Sequence, residues 1–377
     1  MNLNHLLSYF ENQRDGFIDL MKQMIAFQTY SGDRKAINAF SDFLEKLFSE
    51  FTLKKKRIPC PGGDILEFSY FPDSNDFIVL LAHMDTVKVS ETPIKIKTIN
   101  HQLHGSGSYD MKNGIALFYY TLKAIQAFNL NIKKKLKLIF TPDEETGSQG
   151  SMPYLLKECQ GARAVLLPEP CCPEGGVKTR RKGVVSIIAN LHGKTSHSGI
   201  DPEKGSDANR GLMRLIQAID EILKDYSRVS FNPGIISGGI QTNMTSGESI
   251  LKGELRSFSD RDINRVSEKL KKIKNLQGIT VRIKIHKVHP PLEPTPANRE
   301  LYSRVRRISR RLGNELPACS SGGSSDGSSL SQAGIPVLDG LGLKGAGAHS
   351  AREHIDVSDF GFRATLLTAL CQEISND

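Results

Sequence analysis

Apolar residues recur at helical intervals from Asn2 to Phe51, broken at Thr29 to Asp33, where Ser31-Gly32 carries turn chemistry. The spacing predicts two helices packed on a sheet. Phe77 to Ala82 is then an unbroken apolar run, as a parallel strand buried on both faces requires, and it stops at His83. A helix-like stretch from Gly114 to Phe128 precedes two further strands of this kind, Lys137 to Phe140 and Ala164 to Leu167. Strands alternating with helices predict an α/β core.

Near Gly183 the pattern changes. Val184 to Leu191 alternates like a half-exposed strand, and Ser206 to Leu223 is helical. Strand-like runs follow at Gly234 to Gln241 and Ser249 to Arg256, then a helix from Asp262 to Ile273 and a strand from Gly278 to Ile285. This β-α-β-β-α-β order is that of a ferredoxin-like sandwich. After Pro290-Pro291 the first pattern returns: a basic helix up to Leu312, a Gly/Ser loop from Ser320 to Ser329, and a short strand at Pro336 to Leu338. A Gly-rich loop to His349 and a helix from Ser358 to Ile374 close the chain. The predicted fold class is α/β. A mostly parallel sheet flanked by helices spans 1–182 and 291–377, interrupted by an inserted ferredoxin-like α/β domain over 183–290.

Composition narrows the function classes. With 377 residues, 38% of them hydrophobic, the chain can bury a large core without staples. Its apolar runs fall far short of the roughly 18 residues of a membrane-spanning helix. The net charge of +9 invites a nucleic-acid reading, but the basic clusters at Lys54 to Arg57, Lys133 to Lys135, Lys269 to Lys274 and Arg304 to Arg311 are scattered. They sit mostly in amphipathic helical segments, and no nucleic-acid motif accompanies them, so they read as solvated helix faces. An anionic small substrate would also suit the charge. The six cysteines are too few and too irregularly spaced for a disulfide framework or a metal knuckle, and read as free thiols. The N-terminus lacks the basic and uninterrupted apolar regions of a signal peptide, which makes the cytoplasm the expected compartment.

The candidate chemistry sits directly after the buried strands, where sites form in open parallel sheets. His83-Met84-Asp85 follows the first, Glu144-Glu145 the second and Glu169 the third; Asp110 ends a Gly-rich run and His349 lies in the last Gly-rich loop. Each alone has an ordinary explanation as a surface or turn residue. Together, two His, two Glu and one Asp form a nitrogen/oxygen donor set suited to a pair of zinc-like ions.

Five segments carry a resemblance that covers nearly the whole chain in order: His83-x-Asp85, Asp110-Met-Lys-Asn-Gly114, Asp143-Glu-Glu-Thr-Gly-Ser148, Glu169-Pro170 and Gly347-Ala-His349-Ser350. The chain resembles the co-catalytic zinc peptidases that include carboxypeptidase G, aminoacylases and succinyl-diaminopimelate desuccinylase. Leu341-Gly-Leu-Lys-Gly345 and Asp201-Pro-Glu-Lys-Gly205 are most similar to the carboxypeptidase G branch. The resemblance implies that Asp110 bridges two Zn2+ ions (or Co2+ or Mn2+), with His83 and Glu169 on one and Glu145 and His349 on the other. It implies Glu144 as general base toward the attacking water, Asp85 as the carboxylate that orients His83, and His197 as an oxyanion donor reaching a neighbouring subunit. Asn243, Arg256, Gly323 and Asp326 are implied as substrate-binding residues, Arg256 for a carboxylate and the Gly322-Gly323-Ser-Ser-Asp326 loop for the terminal-carboxylate pocket.

The implied activity is removal of a C-terminal amino acid, glutamate foremost, from small peptide or N-acyl substrates with a free carboxylate. The implied assembly is a homodimer through the inserted domain, with no nucleic-acid or membrane partner. N-acyl-amino-acid deacylation uses the same machinery and stays open. A non-catalytic basic binding protein is the distant alternative, and it predicts a missing ligand or base, whereas none is missing. Cys171-Cys172, just past Glu169-Pro170, depart from the pattern and read as buried structural thiols. His104 reads as an ordinary loop histidine.

Overall fold

The computed structural model describes residues 2–70, 74–92 and 94–377. The chain divides into two compact units, one of Met1–Thr179, Pro294–Ser321 and Ser325–Asp377, the other of Arg180–Glu293 with Gly322–Ser324.

In the first unit an eight-stranded sheet runs in the order Lys54–Ile58, Ile65–Tyr70, Lys135–Thr141, Phe77–His83, Ala164–Leu167, Val337–Asp339, Val177–Arg181, Ala318–Ser321. Phe77–His83 pairs in parallel with Lys135–Thr141 on one side and Ala164–Leu167 on the other, and Val337–Asp339 continues the parallel run. Ile65–Tyr70 and Lys54–Ile58 add antiparallel strands at one edge. These central strands carry apolar side chains on both faces because helices cover both, and Val79, Leu80, Leu138 and Leu166 are fully buried.

The N-terminal segment forms three helices, Leu3–Asn12, Arg14–Ala26 and Arg34–Phe48, rather than the two its spacing predicts. The break at Gln13 leaves Phe10 and Phe17 both buried, so the apolar rhythm passes through it undisturbed and conceals it. His104 lies in a strand, Gln102–His104, not in a loop. It pairs with His354, and the two rings stand 4.9 Å apart.

The free-thiol reading is corrected at one pair. Cys172 and Cys319 form a disulfide across 147 residues, whereas Cys60, Cys159, Cys171 and Cys371 are free and buried. A turn closed by Cys172 N–H to Gly176 O and Gly175 N–H to Cys172 O leads into Val177, whose N–H bonds to Pro317 O and draws the two segments together. That juxtaposition depends on sheet order, so spacing along the chain does not reveal it.

The second unit is a five-stranded antiparallel sheet ordered Val229–Gly238, Glu248–Ser257, Gly183–His192, Ile279–His289, Asn275–Leu276. Val185, Ile187, Ala189 and Leu191 alternate inward along the middle strand. They pack with Leu212, Leu215 and Ile219 of Ala208–Lys224 and Ile263, Val266 and Leu270 of Asp260–Lys271.

His289, only 4% exposed, ends one of these strands. Burial, with help from the Arg181 charge, pushes its imidazole down to about 4. Between that value and the roughly 6.5 of a free histidine, the unfolded chain binds the extra proton. The neutral ring therefore contributes stability that is complete above about pH 6.5 and lost as the pH falls toward 4, roughly 2 to 3 kcal/mol in all. Urea unfolding at pH 7.5 and 4.5 should show a pH dependence smaller by that amount in His289→Gln than in the unsubstituted protein. Equal dependence in the two proteins would rule this histidine out as the source.

Candidate active site

The parallel strands assemble the site by register. His83 ends the middle strand opposite Thr141, and Glu144 and Glu145 follow Thr141 in a short 3-10 turn, Glu144–Thr146. Glu169 lies just beyond the end of Ala164–Leu167 on the other side. All three therefore emerge at the carboxyl ends of adjacent strands. Asp110 comes from the loop that leads into the helix Asn113–Ala127, and His349 from a turn closed by Ser350 N–H to Gly347 O.

These residues form two overlapping groups that share Asp110: His83, Asp110 and Glu169, and Asp110, Glu145 and His349, the ligand atoms in each lying within 4.8 Å of one another. His83 Nε2 is 3.2 Å from Asp110 Oδ1 and 3.8 Å from Glu169 Oε1. On the other side His349 Nε2 is 3.5 Å from Asp110 Oδ2 and 2.9 Å from Glu145 Oε2. The two oxygens of one carboxylate thus face two different histidines, the arrangement a bridging ligand needs.

The electrostatics agree with that donor set. Burial would depress His83, but its bonds to Asp110 and Asp85 and the Glu144 charge outweigh burial and hold it well above the usual imidazole range. Bonds to Asp110 and Glu145 lift His349 to about 10. Burial would raise Asp110, yet the bonds from His349 and His83 hold it well below the usual carboxylate range. Burial, reinforced by the Glu169, Asp326 and Glu145 charges, holds Glu144 well above that range. The cluster favours positive charge at its centre.

Asp85 does more than the sequence suggests. His83 Nδ1 bonds to the Asp85 carbonyl at 2.9 Å, while the fully buried Asp85 carboxylate accepts the Glu144 and Glu145 backbone N–H groups, both at 3.1 Å, and the Ser31 hydroxyl at 2.7 Å. Asp85 Oδ1 also stands 3.5 Å from His83 Nδ1, so one residue both orients His83 and holds the turn that carries Glu144 and Glu145. Asp143, part of the Asp143-Glu-Glu-Thr-Gly-Ser148 segment but given no role from sequence, accepts N–H groups from Gly150 and Ser151 and so fixes the far side of the same turn. Asp326 is 3% exposed and accepts the Ser148 hydroxyl, which ties its helix to the loop carrying Glu144. Cys171 Sγ contacts Leu343 O at 3.5 Å.

The remaining predicted residues lie in the second unit. His197 is exposed, and its Nδ1 accepts the N–H groups of Gly199 and Ile200 at 3.1 and 3.2 Å. A neutral imidazole so bonded carries its proton on Nε2. Asn243 is beside it, its carbonyl accepting Ser198 N–H. Arg256 pairs with Glu254 at 2.7 Å and donates to Gly322 O at 2.8 Å, and the Gly323 carbonyl accepts from Arg181 Nη1.

An α/β sheet with two donor groups sharing one carboxylate at its strand ends, and an acid beside them, defines a metal-dependent hydrolase. The chain belongs to peptidase family M20/M25/M40, whose model matches residues 79–373. It is therefore a metallohydrolase of the class that acts on peptides or N-acyl amino acids. Among curated relatives, carboxypeptidase G2 of Pseudomonas sp. (strain RS-16) is 24% identical over 390 residues, covering 98% of this chain and 92% of that protein. The succinyl-diaminopimelate desuccinylase of Thioalkalivibrio sulfidiphilus is 24% identical over 321 residues, 79% of this chain and 83% of that one. In fold, a tripeptidase from Staphylococcus aureus superposes with a TM-score of 0.82 at 19% identity, covering 97% of this chain and 99% of that one. No helix among the described residues is long and apolar enough to cross a membrane.

Proposed function

We propose that this protein is a two-metal carboxypeptidase that removes a C-terminal amino acid, glutamate foremost, from small peptide or N-acyl substrates. The observation that carries the reading is the single carboxylate of Asp110 shared by two donor groups, with Glu144 beside them. His83, Asp110 and Glu169 would hold one ion and Asp110, Glu145 and His349 the other, with zinc favoured by the nitrogen and oxygen donors and cobalt or manganese as substitutes. Such a pair, when bound, polarises a carbonyl and makes an attacking water more acidic.

The chain's own residues do the rest. A Glu144 carboxylate oxygen takes a proton from the attacking water and returns it to the leaving nitrogen, a role suited by a pKa raised through burial. His197 offers its Nε2–H to the developing oxyanion, because backbone donors already occupy Nδ1. Asn243, Gly323 and Asp326 belong to the substrate-binding set, Asp326 acting through Ser148. Arg256 grips the substrate carboxylate in place of Glu254. A homodimer through the second unit brings His197 to the partner's substrate; the exposed Ile235 and Ile236 on the strand Val229–Gly238, with Ile240 just beyond it, supply an apolar seam.

The desuccinylase relative supports N-acyl-amino-acid deacylation as the second reading. A panel of N-acyl amino acids and dipeptides, assayed with zinc on protein shown by sedimentation to be dimeric, separates the two. Preferred turnover of substrates ending in glutamate, abolished by exhaustive chelation, is expected. Turnover confined to acetyl or succinyl amino acids without C-terminal preference would favour the deacylase, and turnover that survives chelation would overturn both.

A further inference from the structure

Glu353 lies four residues beyond His349, in a segment that no sequence motif marks out. Its side chain is nearly inaccessible, at 4% exposure, and three backbone N–H groups converge on it. Both carboxylate oxygens are spent on backbone. Oε2 accepts Gly107 N–H at 2.8 Å, and Oε1 accepts Tyr109 N–H and Asp110 N–H, both at 2.9 Å. Gly107 has φ +73°, a left-handed conformation that glycine adopts without strain, and it lets the loop turn these N–H groups toward one point.

The backbone of the same residue faces the other way. Glu353 N–H bonds to Ser350 O, within the turn that carries His349, and Glu353 O accepts Gly105 N–H from the start of the Asp110 loop. One residue therefore joins two loops more than 240 positions apart in sequence, and each loop delivers one ligand of the Asp110, Glu145 and His349 group. The other group stands on firmer ground. His83 and Glu169 are buried at the ends of sheet strands, whereas the His349 side chain is 50% exposed and its backbone lies at φ +58°.

We propose that Glu353 is a positioning residue for the second metal: it sets the spacing between Asp110 and His349, and thereby the affinity of that ion in particular. The proposal rests on the two-metal reading above. Replacing Glu353 by Gln keeps the shape but turns one acceptor into a donor that faces a backbone N–H, so one of the three bonds is lost along with the charge. Loss of such an outer partner weakens metal binding by roughly 10- to 100-fold.

The test is zinc titration of metal-free protein against a chromophoric chelator. Unsubstituted protein should bind two zinc ions per chain. In Glu353→Gln one ion should weaken about 10- to 100-fold while the other stays within about threefold, with the far-UV circular dichroism unchanged. The weakened ion should be the one that His349→Ala loses, so that the double variant binds no worse than His349→Ala alone. Glu353→Asp keeps the charge but shortens the reach, and should weaken the same ion; whichever of the two variants folds decides the matter. Wild-type affinity for both ions in a folded variant, or equal weakening of both, overturns the proposal. Fewer than two zinc ions on the unsubstituted protein would overturn the two-metal reading and this proposal with it.

Discussion

Glu144→Gln should lower kcat by roughly 10²- to 10⁴-fold, the usual worth of a positioned general base, while KM and bound metal stay near their unsubstituted values. The amide has nearly the shape of the carboxyl group but cannot take a proton from water. Glu144 is not a member of either donor group, so removing its charge leaves the ligands in place. Its backbone N–H remains anchored on Asp85 Oδ1, so the turn should keep its form. In barrier terms the loss amounts to about 3 to 5 kcal/mol. Steady-state kinetics on an N-acyl-glutamate, together with elemental analysis of the dialysed variant, provide the check. A variant that turns over at an undiminished rate would remove Glu144 from the mechanism; one that loses its metal would make Glu144 a ligand instead.

Asp110→Asn should empty both metal positions, whereas loss of a ligand belonging to one group should empty only one. The reason is geometric: Asp110 Oδ1 faces His83 and Oδ2 faces His349, so each candidate ion depends on one oxygen of the same anion. The amide presents one oxygen and one NH2, and the NH2 is a donor where an acceptor is required. After dialysis the variant should retain less than about half the metal of the unsubstituted protein, with activity falling in step. His349→Ala should retain about one ion, held by His83, Asp110 and Glu169. Elemental analysis of both variants tests the pair of expectations, and an Asp110→Asn protein that keeps two ions would show that Asp110 does not bridge.

The parts of the site that were legible in the chain are those in which a strand and its chemistry are contiguous. An apolar run ending at His83, another followed by Glu144-Glu145 and a third followed by Glu169 could be read directly, because strand burial and ligand placement are then one local pattern. Outer partners were not legible. Asp85 could be linked to His83 by proximity, but nothing local says that its carboxylate holds the Glu144 turn. Glu353 looks like any acidic residue beside a short strand, and its three N–H partners lie far away in sequence. The extra helix break at Gln13 escaped because the apolar phase runs through it, and the Cys172 and Cys319 pair because sheet neighbours need not be chain neighbours.

Taken alone, the sequence determined the α/β class and offered the candidate donor residues and base, since burial periodicity is set by the backbone repeat and the donor types and motifs are written in the side chains. Tertiary structure decided how those residues share their work: which oxygen of Asp110 faces which histidine, which ring nitrogen of His197 is free to donate, which N–H groups Glu353 gathers, and which cysteines meet. The division has a physical cause. Burial pattern is a property of a few neighbouring residues, whereas a hydrogen bond is decided by distances of about 3 Å between groups that the fold alone brings together.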